Sequence, residues 1–480
     1  MLLLQACLPP DLAAQPVSGS APTPAAPQPE PTPTISVQAT RPTYPPGELV
    51  DYTAQSGDTL PALAVRFNTT LQEIRAANTF IPADATTMPP GMPMKIPIYY
   101  LPLWGSSYQI LPDAHFVNGP AGIGFDPVAF VNSNPGWLKT YSTYILDRNR
   151  SAGEVVQYVS TNYSVSPRLL IALVEYQLGG LYLPEPDEDI ENGFPLGIVA
   201  QDSRGLYRQL AAAANSLNNT YYRWREGTLK EFYLRDGQLV RPDPWQNAAT
   251  VALQVYFAEH YGVEEYQRAV SPEGFAALFA RLYGDPWSAA PPIPGSLRQP
   301  EMRLPFPAGA SWSYTGGPHT PWGEGEPFGA IDFAPPAVVG GCVPTEEFAT
   351  AVTSGVIART GTGIAVLDLD GDGDERTGWV VFYLHIAAAD RVVQGQVVAP
   401  GDPIGHPSCE GGTSTGTHVH MARKYNGEWM LAGGIVAFNL DGWIAGSAGA
   451  PYLGTLRRNG RTVTACECSD RASQIQADLR

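Results

Sequence analysis

Apolar positions recur along this chain with different periods in different stretches, and the changes of period divide it. Residues 50–54 alternate and then meet the polar run Gln55-Ser56-Gly57-Asp58, as a strand entering a turn would. Leu60, Leu63, Ala64 and Phe67 keep helical spacing over 59–67, with Asp58 placed to cap it. Leu71, Ile74 and Arg75 predict a second short helix over 70–77, stopping at Asn78. Pro89-Pro90-Gly91 then turns the chain into a second strand at 94–98. The result is a βααβ unit over 49–98, of the size used for add-on binding modules.

Residues 99–136 are rich in Pro, Gly and Tyr without a clear period, and read as an ordered spacer packed on a neighbour. Helical signals take over from 137. Ser151 and Glu154 have capping-box spacing ahead of an apolar run. Ser166-Pro167 opens a helix carrying Leu169, Leu170, Leu173, Val174 and Tyr176, and Gly179-Gly180 ends it. Further helices are predicted at 203–217, 245–261 and 272–283, the last opened by Ser271-Pro272. The expectation for 137–295 is an all-α domain. Beyond 300 the apolar runs become short and strand-like, as at 364–367 and 379–384.

A length of 480 residues exceeds what one core usually holds, so two to four domains are expected. Forty-six acids against 29 bases give a net charge of −17, a poor basis for gripping nucleic acid. No run of about 18 apolar residues appears, so no helix is predicted to span a membrane. Residues 9–47 carry twelve prolines among Ala, Thr, Ser and Gln, a composition that cannot bury enough apolar surface to fold. Residues 9–48 are therefore expected to form a disordered tether. Ahead of it, Leu4-Gln5-Ala6-Cys7 resembles the end of a bacterial lipoprotein signal, which would make 1–8 a signal remnant and Cys7 a lipidated anchor. Gln5 is unusual in such a box and a basic start is missing, so an ordinary Cys7 is the alternative. Export to the cell envelope or beyond is the expectation, with membrane contact only through that lipid.

The segment "YTAQSGDTLPALAVRFNTTLQEIRAAN" followed by "PPGMPMKIP" resembles a LysM domain, the module that binds N-acetylglucosamine chains. That resemblance implies a glycan groove between the loop bearing Gly57, Asp58, Thr59 and Leu60 and the loop bearing Thr79, Phe80 and Ile81. Pro61 departs from the large residue many members carry there. In the middle, "VSPRLLIALVEYQLGG" looks like the helix that carries the catalytic Glu of lysozyme-like lytic transglycosylases. Glu175 is then a candidate general acid, although Gln177 sits closer to the family position. A purely structural helical domain is the competing reading, and the acidic run 185–189 reads as a solvated loop.

Seven histidines occur in the chain, and five of them, His319, His385, His406, His418 and His420, fall within 319–420. Such clustering needs a common cause, and a metal site is the leading one. His418-Val419-His420 follows a Gly/Thr/Ser loop onto a predicted strand, where residues two apart share a face. His385 ends the β-rich run 379–385, Asp332 sits inside an apolar strand, and His319 follows Gly316-Gly317-Pro318 on an expected loop. A buried Asp is costly unless something cationic neutralises it. Two His and one Asp around zinc, with an open fourth position, make a hydrolytic site.

The segments "GGPHTPWGEGEPFGAIDFA", "VVFYLHI", "VVAPGDPIGH" and "GTSTGTHVHMA" resemble lysostaphin-type zinc endopeptidases that cut peptidoglycan peptides, and their β-lytic branch in particular. The resemblance implies that His319, Asp332 and His420 ligate one Zn²⁺, that His385 and His418 are the catalytic pair, and that Tyr452 meets the tetrahedral intermediate. The commoner family pattern has His four residues before the Asp, where this chain has Phe328. His406 is left as structural. Because the segments around Asp332 and His418 must converge, a Cys342–Cys409 disulfide is expected, and it suits an exported protein. Cys466 and Cys468 are too close for an easy mutual bond, so their pairing stays open. Asp368-Leu-Asp370-Gly-Asp372-Gly373 matches half of a calcium loop, but position twelve is Trp379. A Ca²⁺ at 368–374 is therefore set against a plain hairpin tip.

The expected fold class is multi-domain α+β. It comprises a small βααβ LysM module, a spacer at 99–136, an all-α middle domain at 137–295, a carboxy-terminal antiparallel β-sheet metallopeptidase domain at 300–465, and a tail at 466–480. The expected function is zinc-dependent hydrolysis of amide bonds in peptidoglycan stem or cross-bridge peptides. The alternatives are a non-catalytic peptidoglycan-binding scaffold that activates another hydrolase, and a glycan cutter working through Glu175.

Overall fold

The computed structural model describes residues 41–101, 105–185, 193–200, 202–468 and 470–479. Cys7, most of the expected tether and most of the acidic run 185–189 lie outside the described residues. The alternating stretch folds as β1 (Glu48–Thr53), paired antiparallel with β2 (Pro93–Ile98), and α1 (Leu60–Arg66) and α2 (Leu71–Ala77) run between them. Leu60, Leu63, Phe67, Ile74 and Ile96 form its small core. Thr70 and Glu73 close a reciprocal capping box on α2.

The cap of α1 differs from expectation. Thr59, not Asp58, accepts the Ala62 N–H, and Asp58 turns inward. Its carboxylate accepts from Tyr52 Oη (2.5 Å), the Gln55 N–H (2.8 Å) and Arg66 Nη1 (2.8 Å). A short polar side chain at a helix start can serve the core instead of the helix when a cation at the helix's far end reaches it.

The middle domain contains α3 (Pro127–Ser133), α4 (Ala152–Tyr163), α5 (Pro167–Leu178), α6 (Leu206–Glu226), α7 (Ala248–His260), α8 (Val263–Ala269) and α9 (Phe275–Tyr283). Four expectations need correction. The core begins well before 137, because Ile110, Leu111, Phe116 and Val117 belong to it. The domain is not purely helical: β3 (Ser142–Ile145) pairs with β4 (Arg148–Ser151), and β5 (Phe232–Tyr233) with β6 (Leu239–Val240). Ser271-Pro272 lies in a turn, and α9 starts only after Gly274. Helix α6 also runs past the predicted 217, because its Asn218 is buried and donates to the Tyr163 carbonyl.

The carboxy-terminal domain is built on a nine-stranded sheet. In spatial order it runs β13 (Val397–Val398), β10 (Gly355–Gly361), β11 (Ile364–Asp368), β12 (Trp379–Leu384), β15 (Val419–Tyr425), β8 (Ala330–Ala334), β7 (Ser311–His319) and β21 (Gln474–Gln476). The short β16 (Glu428–Met430) also pairs with β15. A two-stranded sheet, β9 (Ala349–Thr350) with β14 (Pro403–Gly405), and a four-stranded one, β17 (Asn439–Leu440), β18 (Trp443–Ser447), β19 (Gly454–Arg458) and β20 (Arg461–Thr464), complete it.

Both faces of the large sheet are apolar. Leu367, Val381 and Tyr383 point into the domain's own core, whereas Val366, Val380, Phe382 and Trp429 join the core of the helical domain. The uninterrupted apolar run 380–384 follows from burial on both sides.

One prediction comes from the inward Asp58. Replacing it with Ala leaves Arg66, whose side chain is 2% exposed, without its counter-charge. The expected loss is about 3 kcal/mol, read from the urea midpoint of Trp245 fluorescence, since Trp245 packs edge-on against Phe67. An unchanged midpoint would refute the pairing.

Candidate metal centre

Strand register assembles the site. Asp332 on β8 stands opposite His420 on β15 and opposite Gly316 on β7. A side chain at Gly316 would collide with Asp332 Oδ2, so the glycine makes room for the carboxylate. His319 is not on a free loop as expected. It is the last residue of β7, which reaches it through two register shifts. His420 also faces Leu384 of β12, and His385 follows it with φ 64°, a conformation that swings the chain off the strand. His418 lies one residue ahead of β15 and bridges to Ser408.

The ligand atoms of His319, Asp332 and His420 all fall within 4.8 Å of one another. Asp332 Oδ1 lies 3.4 Å from His319 Nε2 and 3.2 Å from His420 Nδ1, and these two nitrogens are 3.0 Å apart. All three residues are buried, and among the described residues Asp332 Oδ1 accepts no hydrogen bond. The far nitrogens are each tied to a carbonyl, His319 Nδ1 to Gly317 O (2.7 Å) and His420 Nε2 to Pro321 O (3.2 Å). A carbonyl only accepts, so each of those nitrogens carries the proton, and lone pairs turn inward. Two lone pairs and an unsatisfied carboxylate oxygen thus converge on one point. That set repels itself unless a cation sits among it, and its N/N/O chemistry fits zinc.

His418 and His385 repeat the device, with Nδ1 donating to Gly416 O (2.8 Å) and to Glu410 O (2.9 Å). His418 Nε2 lies 3.8 Å from Asp332 Oδ2, and the His385 and His418 rings are 4.6 Å apart. Burial lowers His420 and pulls His385 down to about 4, helped by the neighbouring imidazoles. Burial alone would raise Asp332, but His319 and His418 hold it well below the usual carboxylate range. Burial likewise opposes the charged form of His319, and the Asp332 carboxylate outweighs it and raises that imidazole.

These groups line a cavity of roughly 760 Å³. Tyr452, with φ 65°, stacks its ring on His319 at 4.2 Å. Sequence reading did not identify Tyr163 and Tyr207 of the helical domain, or Trp322, as part of this wall. No local pattern marks them, since Tyr163 lies more than 150 residues before His319. The Cys342–Cys409 disulfide forms, with Cα atoms 5.8 Å apart, and Thr417 hydrogen-bonds to Gly341 and Val343 beside it. Cys466 and Cys468 also bond to each other despite their closeness in sequence.

Other candidates lie elsewhere. Phe328 is not in the cluster, and His406 Nδ1 donates to Glu347 O (2.9 Å) with its ring packed on Phe348. Glu175 accepts the Leu181 N–H and closes the turn after α5, while Gln177 accepts from Tyr256. Asp368, Asp370 and Asp372 do cluster, but their oxygens accept backbone N–H groups along 370–374, as turn residues do. The calcium expectation gains no support from them. In the βααβ module Thr79 and Phe80 face solvent and Ile81 is buried. Gly57, Asp58, Thr59 and Leu60 are packed toward the rest of the chain.

Residues 109–295 match the family described as LasA, N-terminal domain, and residues 52–97 match the LysM domain family. The chain is similar to Protease LasA of Pseudomonas aeruginosa, 27% identical over 343 residues, covering 67% of this chain and 74% of that one. It is similar to the beta-lytic metalloendopeptidase of Achromobacter lyticus, 27% identical over 158 residues, covering 32% of this chain and 39% of that one. A solved M23 metalloprotease, pseudoalterin from the deep sea, is 26% identical, with 35% of this chain and 96% of that chain covered and a TM-score of 0.30.

The disulfide supplies a test of how the cavity wall is held. It closes a loop spanning 67 residues, and replacing both cysteines by Ser is expected to cost about 2–4 kcal/mol. Limited proteolysis should then nick 411–417 sooner than in the wild type. Equal nicking rates would mean that the Thr417 hydrogen bonds hold the loop unaided.

Proposed function

We propose that this chain, which carries a LysM domain and is similar to LasA protease and β-lytic metalloendopeptidase, is an exported zinc endopeptidase. It hydrolyses amide bonds in peptidoglycan stem or cross-bridge peptides, with the LysM module directed at wall glycan. The observation that carries the reading is the convergence of His319 Nε2, His420 Nδ1 and the unsatisfied Asp332 Oδ1.

Zinc held by those three atoms would acidify a water toward a pKa of about 7 and polarise the scissile carbonyl. The protein's part is proton handling and orientation. His418 and His385, each with Nδ1 spent on a carbonyl, keep Nε2 as a base for the attacking water's proton and as its later donor to the leaving amine. The depressed basicity of His385 suits a group that must release its proton again. Tyr452 presents its hydroxyl at the rim as a donor for the developing oxyanion. Its backbone is fixed by a hydrogen bond to Pro318 O (3.1 Å) and another from the Gly317 N–H (2.9 Å).

Purified protein is expected to hold about one zinc per chain by the four-position logic of such sites. His319→Ala and His420→Ala should both lose it. His418→Ala should keep the metal and lose activity by about 10²–10⁴-fold. Digested peptidoglycan should gain new amino termini and no new reducing sugar ends. A protein that takes up no zinc when it is supplied would leave a non-catalytic binding scaffold as the better account.

A further inference from the structure

The βααβ module does not stand free. Residues 292–298, the link between the helical and sheet domains, lie against the edge formed by Ser56, Thr86 and Thr87. Ser56 Oγ accepts the Ile293 N–H (2.9 Å) and also reaches the Ile293 carbonyl (3.3 Å). Thr87 Oγ1 donates to Pro294 O (2.7 Å) and accepts the Leu297 N–H (3.0 Å), while the Ser296 N–H donates to Thr87 O (2.7 Å). Thr86 Oγ1 donates to Leu297 O (2.6 Å), and Arg298 pairs with Asp84 at 2.5 Å. Ile293 and Leu297 are buried at 2% and 5% exposure.

A second contact covers the neighbouring glycine. Arg225 of α6 donates to the Ser56 carbonyl, and a side chain at Gly57 would sit 2.5 Å from its guanidinium. Arg225 is itself held by Asp113 (3.1 Å), Glu428 (3.1 Å) and the Tyr221 hydroxyl (2.8 Å). One buried cation therefore joins the module, the helical domain and β16 of the sheet domain.

The chemistry of the occupant is informative. An N-acetylated sugar offers a protein one amide N–H and one amide carbonyl per acetamido group. Ile293 offers Ser56 the same pair, and Pro294 with Leu297 offers it to Thr87. Thr87 pairs with Thr59, so this edge adjoins the Gly57–Leu60 loop that the LysM resemblance assigns to the groove. We infer that 292–298 is an intramolecular occupant beside that loop, so that the link and an N-acetylated glycan exclude one another. Glycan engagement then frees the segment leading directly into Met302 and Leu304 of the sheet-domain core. Because the two compete, whatever loosens that link strengthens glycan binding by up to the same factor. This rests on the reading that the module binds glycan.

The test uses the full chain and the N-acetylglucosamine pentamer, with calorimetric affinity and amide hydrogen exchange over 292–298. Ile293→Ser with Leu297→Ser is expected to bind the pentamer at least about tenfold tighter than the wild type. Arg298→Glu, at an exposed position that leaves the core intact, should shift affinity in the same direction by less. Saturating pentamer should speed exchange at Ile293, Ser296 and Leu297 in the wild type. If the wild type binds as tightly as the variants with those amides still protected, the inference falls and glycan binding stands. If no form binds although the variant's 292–298 amides exchange freely, the glycan reading fails and takes the inference with it.

Discussion

The large sheet is apolar on both faces, and the rest of the molecule is arranged around that fact. Val380, Phe382 and Trp429 on its outer face would be exposed if the sheet domain stood alone. Burial of such side chains is worth about 1.5–3 kcal/mol each, so the helical domain is held on the sheet by a shared core. That docking brings Tyr163 and Tyr207 to the wall of the cavity. It also sets Asn215 and Asn219 of α6 against the backbone N–H groups of Glu324 and Glu326. Their loop begins near Pro321, whose carbonyl accepts a hydrogen bond from His420 Nε2. Orientation of one candidate ligand is thus continuous with domain packing.

Buried acids elsewhere in the chain show what is unusual about Asp332. Asp58 is met by Arg66, Glu375 by Arg359 and Lys424, and Asp113 and Glu428 by Arg225. Asp368 has no such cation, but backbone N–H groups satisfy it. Among the described residues Asp332 is ion-paired only to imidazoles, two of them turning lone pairs inward. A fold that balances its other buried carboxylates so closely leaves this one for something supplied from outside.

The amino-terminal module illustrates the same economy of partners at the domain level. Its outer loop at Thr79 and Phe80 stays open to solvent, with Phe80 62% exposed, while its Gly57 side is taken up by Arg225 and the 292–298 link. The two loops that the LysM resemblance assigns to one groove therefore have different freedom, because only one of them lies where helix α6 ends.

The sequence by itself determined the local elements whose period is written in side chains. The βααβ unit, the capping box at Ser151, the helices at 167–178 and 248–260, and the clustering of five histidines within 319–420 were all legible there. The resemblance named five candidate residues that the fold brings to one cavity, and it led to the Cys342–Cys409 pair, which forms. The sequence did not determine where Asp58 would point, that residues 110–136 belong to the helical core, or that Asn218 and Asn219 would extend α6. The first depends on a choice between two local partners for Asp58, the helix start and Arg66; the others depend on partners far along the chain, the α7 packing surface and the 320–326 loop. Tertiary structure alone also decided that helical-domain tyrosines line the cavity and that the link covers the module. Local sequence records which face of an element is apolar, but not which distant surface will bury it.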